Sequence, residues 1–256
     1  MDLQSPIATA RNFKFTDVRP VSFNWPCTIL KMALGHDGDN EDQNVRAGLD
    51  YWEAIPASID GVLGGFGNGP LPRVDALGSR QFLLGLMPSL CTVPSALRRL
   101  EPWPPLTRRV RALDVGAGIG RVTQTVLLPL VHDVVLLEPI SKFIAEAQRL
   151  APSWRGIADA SKSVTFIQGT LQTYDPSTSY ATIPATRVPG VTSASSIQVL
   201  GRVGYIPPEQ QEELGFDVIW CQWCLGHLSD PDLVVFLRQC KASLRQEGKT
   251  ALPICI

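Results

Sequence analysis

Leu113-Asp-Val-Gly-Ala-Gly-Ile-Gly-Arg-Val-Thr123 decides how this chain is read. Val110 to Val115 is an apolar run of strand length, Gly116, Gly118 and Gly120 punctuate the turn after it, and Val122, Val126, Leu127 and Leu130 then share one face of a helix. Strand, glycine turn and helix in this order have a chemical use. Residues without side chains let the backbone approach a bound nucleoside, and free N–H groups at a helix start can meet a carboxylate. The next strand runs from Asp133 to Leu137 and ends in Glu138, near the ~20-residue offset at which an acid meets ribose hydroxyls.

Downstream, Pro139 and Ser141 open a helix with Phe143, Ala147 and Leu150 on one side, Ser163 to Gln168 reads as a third strand, and Phe216 to Trp220 as a fourth. Asp230 as N-cap and Pro231 at the first helical position start a helix with the apolar stripe Leu233, Phe236, Leu237, Cys240 and Leu244. Strands alternating with helices predict an α/β fold: a doubly wound, mostly parallel sheet with helices on both faces. Residues 176–213, rich in Ser, Thr, Pro and Gly and without sustained period, are expected to form an insertion loop.

Upstream, residues 1–46 lack periodicity and predict a poorly ordered tail that ends in the polar run Asp37 to Asn44. Residues 47–256 then form one domain, opened by a helical cap over 47–105. Leu49, Trp52 and Ile55 stand at near-helical spacing before Pro56, a loop punctured by Gly61, Gly64, Gly65 and Gly67 follows, a second helix is predicted over Ser79 to Leu86, and Glu101 to Pro105 is a Pro-rich connector.

The composition limits the function classes. With 256 residues, 45% hydrophobic and 18% charged, the chain can bury one sizeable core. A formal charge of −1 supplies no broad positive field, so nucleic acid is not expected as a partner. No apolar run approaches the ~20 residues needed to cross a bilayer, so no membrane is expected either. The six cysteines are scattered as in a reduced intracellular protein, and the expectation is a cytoplasmic, also nuclear, monomer. Cys221-Gln-Trp-Cys224 has CxxC spacing, but no second pair stands nearby and it sits at a strand end, so no metal is expected.

The glycine spacing Gly-x-Gly-x-Gly differs from the dinucleotide pattern Gly-x-Gly-x-x-Gly and resembles the S-adenosylmethionine motif of class I methyltransferases, a Rossmann-like fold. Two further segments are more specific: Tyr51-Trp-Glu-Ala-Ile-Pro-Ala-Ser-Ile-Asp-Gly-Val-Leu-Gly-Gly-Phe-Gly67 and Asp217-Val-Ile-Trp-Cys-Gln-Trp-Cys-Leu-Gly-His-Leu-Ser-Asp230. With Phe236-Leu-Arg-Gln-Cys-Lys-Ala-Ser-Leu244, they resemble the α-N-terminal protein methyltransferases, which methylate the α-amino group of proteins beginning X-Pro-Lys. The resemblance runs from about Gly48 to Gly248, excluding the insertion.

It implies S-adenosyl-L-methionine as cofactor and protein N-termini of the X-Pro-Lys type as substrate. Gly116 and Arg121 would hold the methionine carboxylate, Glu138 the ribose, Leu171 and Gln172 the adenine end, and Gln222 would stand at the cofactor edge. Leu63 and Gly64 would help wall the pocket. Trp52, Trp223 and His227 would line the peptide channel, with His227 the candidate catalytic residue as base or orienting group. An α-amino group of pKa about 7.7 to 8.0 is already partly neutral near pH 7, so positioning can supply most of the catalysis. The alternative readings are a small-molecule methyltransferase and a catalytically impaired binding module.

After Gly248 the pattern departs. Lys249-Thr-Ala-Leu-Pro-Ile-Cys-Ile256 stands where the family continues with a strand, an acidic substrate-binding segment and a closing hairpin. The expectation is a sheet lacking its C-terminal strands, with one bare edge and impaired activity.

Overall fold

The computed structural model describes residues 41–91, 108–178, 197–208, 215–245 and 254–255, the side chains of 41–44 and 254–255 excepted. Residues 1–40 of the expected tail, the connector Glu101 to Pro105 and residues 179–196 and 209–213 of the expected insertion lie outside the described residues. The chain matches its expected alternation. β1 (Arg111–Val115), β2 (Asp133–Glu138), β3 (Ser163–Gln168) and β5 (Val218–Gln222) are parallel, and with β4 (Gln198–Gly204) and β6 (Ile254–Cys255) the sheet order is β4-β3-β2-β1-β5-β6.

The pleat sends successive residues to opposite faces. Ala112, Val134, Leu136, Phe166 and Trp220 join one buried cluster with Ile144, Ala147 and Trp154, while Leu113, Val135, Leu137, Ile167 and Ile219 join another with Phe236 and Cys240. Ile144 and Ala147 come from the helix Ser141–Leu150 on one face, with Trp154 a few residues beyond its end, and Phe236 and Cys240 from the helix Asp230–Ser243 on the other. Because both faces are covered, the strands read as continuous apolar runs. Strand order reverses at β1, whose neighbours are β2 and β5, and the crevice above their carboxyl ends is where doubly wound sheets bind ligands.

The expected insertion contains a strand. β4 (Gln198–Gly204) pairs antiparallel with β3, with a register shift between Phe166 and Ile167. Val199 packs half-buried against one core cluster and Leu200 and Val203 against the other, and Gly201 and Gly204, at φ of 127° and 82°, break the alternation that would have marked it. The edge beyond β5 is not bare: Ile254 and Cys255 form β6 and pair parallel with Cys221 and Gln222. Two residues carry no period, which is why the tail read as patternless.

Helix boundaries also shift. In the cap, α1 spans Glu41–Ala54, α2 Ile59–Val62 and α3 Leu71–Leu86. α1 therefore takes its first turn from the polar run assigned to the tail. α3 starts eight residues before Ser79, its early half hidden by Pro70, Pro72 and Gly78. The helix of Ser141–Leu150 is α4. Its successor α5 (Asp230–Ser243) is capped by Ser229, not Asp230, because Ser229 is the extended residue and its hydroxyl accepts from the N–H of Asp232 at 3.3 Å. Asp230 and Asp232 instead sit in the first turn, where the helix dipole favours them. After the glycine turn the chain makes a π turn over Thr123–Leu127, closed by Leu128 N–H to Thr123 C=O at 2.9 Å, and Pro129 prevents its extension.

Candidate functional site

Gly116, Gly118 and Gly120 all adopt the left-handed conformation, at φ of 63°, 58° and 80°. Two of them are also required by space. A Cβ on Gly116 would lie 2.6 Å from Cys224 Cβ, and one on Gly120 would lie 2.3 Å from the ring of Trp154. Gly118 is different: its Cβ would meet only Val62 at 3.7 Å, so its bareness serves the space in front of it.

Glu138 closes the turn. It is buried, and its two oxygens accept from Gly118 N–H at 2.7 Å and Ile140 N–H at 2.9 Å. Burial pushes its pKa up to about 7 against the lowering effect of those two N–H groups. Asp114, at the end of β1, is likewise pushed up to about 6 by burial, opposed by the Thr123 hydroxyl at 2.6 Å and by the charge of Arg121.

These groups form the floor of a cleft of about 980 Å³, part of it open solvent. Gly116, Arg121, Glu138, Leu171, Gln172, Gln222, Trp52, Trp223 and His227 all line it, so the structure brings these nine expected residues to one place. The roof comes from α1 through Val45, Gly48, Leu49 and Trp52. Leu49, Trp52 and Ile55 anchor that helix on Ile119, Ile140 and Phe143. The expected wall residues Leu63 and Gly64 do not reach the cleft: Leu63 turns inward, 1% exposed, and Val62 takes the place.

Within the cleft, Trp52 Nε1 donates to His227 Nε2 at 3.2 Å. An indole N–H can only donate, so Nε2 accepts and the neutral ring carries its proton on Nδ1. Partial burial holds the pKa of His227 below the ordinary histidine value. The lone pair that a base would use is thus committed to Trp52. Gln172 Nε2 donates to the His227 carbonyl at 3.2 Å, joining the β3 loop to the same turn. Trp223 holds φ of 61°, a conformation that costs a bulky residue about 1–3 kcal/mol.

Arg121, 8% exposed, pairs with Asp75 through Nη1 at 2.5 Å and lies under the Trp223 ring at 5.4 Å. Asp75 is a residue the sequence reading missed. It lies on α3 beside the buried positions Ala76, Ser79 and Leu83, and a carboxylate next to that stripe was the available signal. Cys221 and Cys224 are both buried, and contact with the Cys224 thiol followed by burial pushes the Cys221 pKa far up, which disfavours the thiolate that metal or redox chemistry needs. Among the described residues no group of three or more His, Cys, Asp or Glu is gathered for a metal ion.

A doubly wound sheet with a bare glycine turn after β1, an acid at the end of β2 and a cleft at the switch point defines a Rossmann-like class I methyltransferase fold. The chain belongs to the AdoMet-dependent proline di-methyltransferase family, whose model matches residues 40–188 and 191–253. It is similar to the α-N-terminal protein methyltransferase 1 of Schizosaccharomyces pombe, 30% identical over 200 residues, or 78% of this chain and 65% of that protein. It is also similar to the human N-terminal Xaa-Pro-Lys N-methyltransferase 1, 31% identical over 212 residues, covering 82% of this chain and 70% of that one. Among solved structures, a SAM-dependent methyltransferase from Leishmania major superposes with a TM-score of 0.53 at 26% identity, covering 83% of this chain and 62% of that one. The chain thus spans about two thirds of the length of these relatives.

Proposed function

We propose that this chain binds S-adenosyl-L-methionine in the cleft and transfers methyl groups to the α-amino group of protein N-termini of the Xaa-Pro-Lys type. The observation that carries the reading is one continuous cleft lined both by the glycine turn and Glu138 and by Trp52, Trp223 and His227. The name of the fission-yeast relative supports a protein N-terminus as substrate, and that of the human relative supports the Xaa-Pro-Lys type.

The residues fit an adenosyl amino acid. Gly116 and Arg121 would hold the methionine end, Glu138 the ribose, Leu171 and Gln172 the adenine, and Gln222 stands beside them at the edge. When bound, the donor supplies an electrophilic methyl group on a sulfonium. The chain's own contribution is positioning. Trp52 and Trp223 offer ring faces to an ammonium that keeps its charge through successive methylations, worth up to about 2 kcal/mol when desolvated. The His227 Nδ1–H is a donor that can orient a peptide carbonyl, and the incoming amine, with a pKa of about 7.7 to 8.0, sheds its proton to solvent near neutral pH. A monomer acting in the cytoplasm and nucleus, without nucleic acid or membrane, belongs to the same reading; no helix among the described residues is long and apolar enough to cross a membrane.

The test is incubation of the full chain with methyl-labelled donor and a peptide beginning Ser-Pro-Lys, beside the same peptide N-acetylated. Label on the free peptide alone is expected. An unlabelled peptide, with S-adenosylhomocysteine binding intact by calorimetry, would reject the peptide assignment.

A further inference from the structure

A polar chain crosses from the core to the cap behind the cleft. Trp220 Nε1 donates to Gln222 Oε1 at 3.0 Å, Gln222 Nε2 donates to Asp75 Oδ1 at 2.8 Å, and Arg121 Nη1 donates to Asp75 Oδ2 at 2.5 Å. Its polarity has only one solution. Trp220 and Arg121 can only donate, so Gln222 must turn its oxygen to the indole and its NH2 to the cap, and the group between that NH2 and the guanidinium must accept from both. Asp75 does so, with one oxygen for each. Its side chain is 13% exposed and does not line the cleft, whereas Arg121 and Gln222 both do.

We propose that Asp75 is a positioning residue for the methyl donor: through one carboxylate it fixes Arg121 at the amino-acid end of the cleft and Gln222 at its edge, tying the cap helix α3 to the donor site. The inference rests on the donor-site reading. A buried guanidinium held on one side keeps one orientation without having to find it on binding, and preorganised groups of this kind contribute affinity by lowering the ordering cost. A purely structural ion pair would leave donor affinity unchanged once the protein is folded.

The substitution Asp75→Asn keeps the shape but has one oxygen and one NH2. Whichever way its amide turns, one N–H faces another N–H, at Arg121 or at Gln222, and flipping Gln222 only moves the conflict to Trp220. Donor affinity, read as the calorimetric Kd for S-adenosylhomocysteine on the full chain, is expected to weaken by about tenfold, the size of one unsatisfied buried polar group. The donor KM should rise in parallel with kcat changed by less than about twofold. The conservative Asp75→Glu keeps a carboxylate that can accept from both Gln222 and Arg121, and it is expected to hold Kd to within about threefold of the parent. An unchanged Kd in a folded Asp75→Asn protein overturns the proposal, as does a folded Asp75→Glu protein that binds no better than Asp75→Asn. If Asp75→Asn does not fold, Asp75→Ala decides in its place, an affinity weakened by about tenfold supporting the proposal and near-parent affinity in a folded protein overturning it. A parent chain that binds no S-adenosylhomocysteine sinks the donor-site reading itself.

Discussion

The indole N–H of Trp52 reaches Nε2 of His227 at 3.2 Å across 175 positions of sequence, joining the first cap helix to the turn after β5. The bond favours the neutral ring, because a protonated Nε2 would present N–H to N–H. Trp52→Phe keeps an aromatic ring and removes the donor, so the pKa of His227 is expected to rise toward the ordinary value of about 6.5. Histidine NMR titration of the two proteins measures this, and a pKa that stays put would show that burial, and not the bond to Trp52, holds it down. The sign for stability follows. A pKa held below that of the unfolded chain means that the folded state binds fewer protons, so this group's contribution is intact above about pH 6.5 and is lost as pH falls through the lowered value.

Glu138 and Asp114 act in the opposite direction. Their pKa values, pushed up to about 7 and about 6 by burial, exceed those of the unfolded chain, so the folded state holds extra protons between roughly pH 4 and 7. Their contribution to stability is fully present below the unfolded pKa and is lost as pH rises through the folded one. Donor binding should run the other way, because ribose hydroxyls donate best to an ionised Glu138. Affinity for S-adenosylhomocysteine is expected to increase by up to about tenfold from pH 6 to 8, with net proton release on binding. Calorimetry in buffers of different ionisation enthalpy detects the protons, and an affinity that is flat or falling over that range would exclude Glu138 as the ribose acceptor.

The glycines separate fold from function. Gly120→Ala drives a Cβ into the buried ring of Trp154 and forces a left-handed alanine, for a combined loss of roughly 3 kcal/mol in denaturant unfolding. Gly118→Ala meets nothing closer than 3.7 Å and should lose only about 1 kcal/mol of stability, while its methyl group enters the cleft and weakens donor binding. Equal stability losses in the two variants would contradict this division.

Trp223 sits in a strained conformation with 37% of its surface exposed. Trp223→Gly releases the strain but also gives up the larger part of the ring's surface, which is buried, so the two effects oppose each other and the unfolding free energy should fall by only about 1–2 kcal/mol. Methylation of the Ser-Pro-Lys peptide should nevertheless drop by about tenfold or more if the ring faces the substrate ammonium. A variant that is as active as the parent would return Trp223 to a purely surface role.

The sheet was legible because covered parallel strands are written as apolar runs, and the glycine turn because only glycine tolerates both the left-handed backbone and the contacts at Gly116 and Gly120. Glu138 could be found by its offset from that turn. The tryptophans and His227 were found through the family resemblance, since no periodicity distinguishes a cleft tryptophan from a core one. The first turn of α1, the start of α3 and the strand Gln198–Gly204 were obscured by prolines, glycines and polar residues that tertiary packing overrode.

By itself, then, the sequence determined the layered α/β architecture and the position of the cleft, because both follow from local patterns: period, turn chemistry and the order of strands. Only the tertiary structure decided that Asp75 belongs to the site, that Trp52 occupies the lone pair of His227, and that Val62 rather than Leu63 faces the cleft. The first two depend on which way side chains meet across 46, 147 and 175 positions of chain, and hydrogen-bond polarity between distant groups leaves no trace in the spacing of either. The third depends on which side of a four-residue helix packs inward, and a single turn is too short to carry a period that would say so.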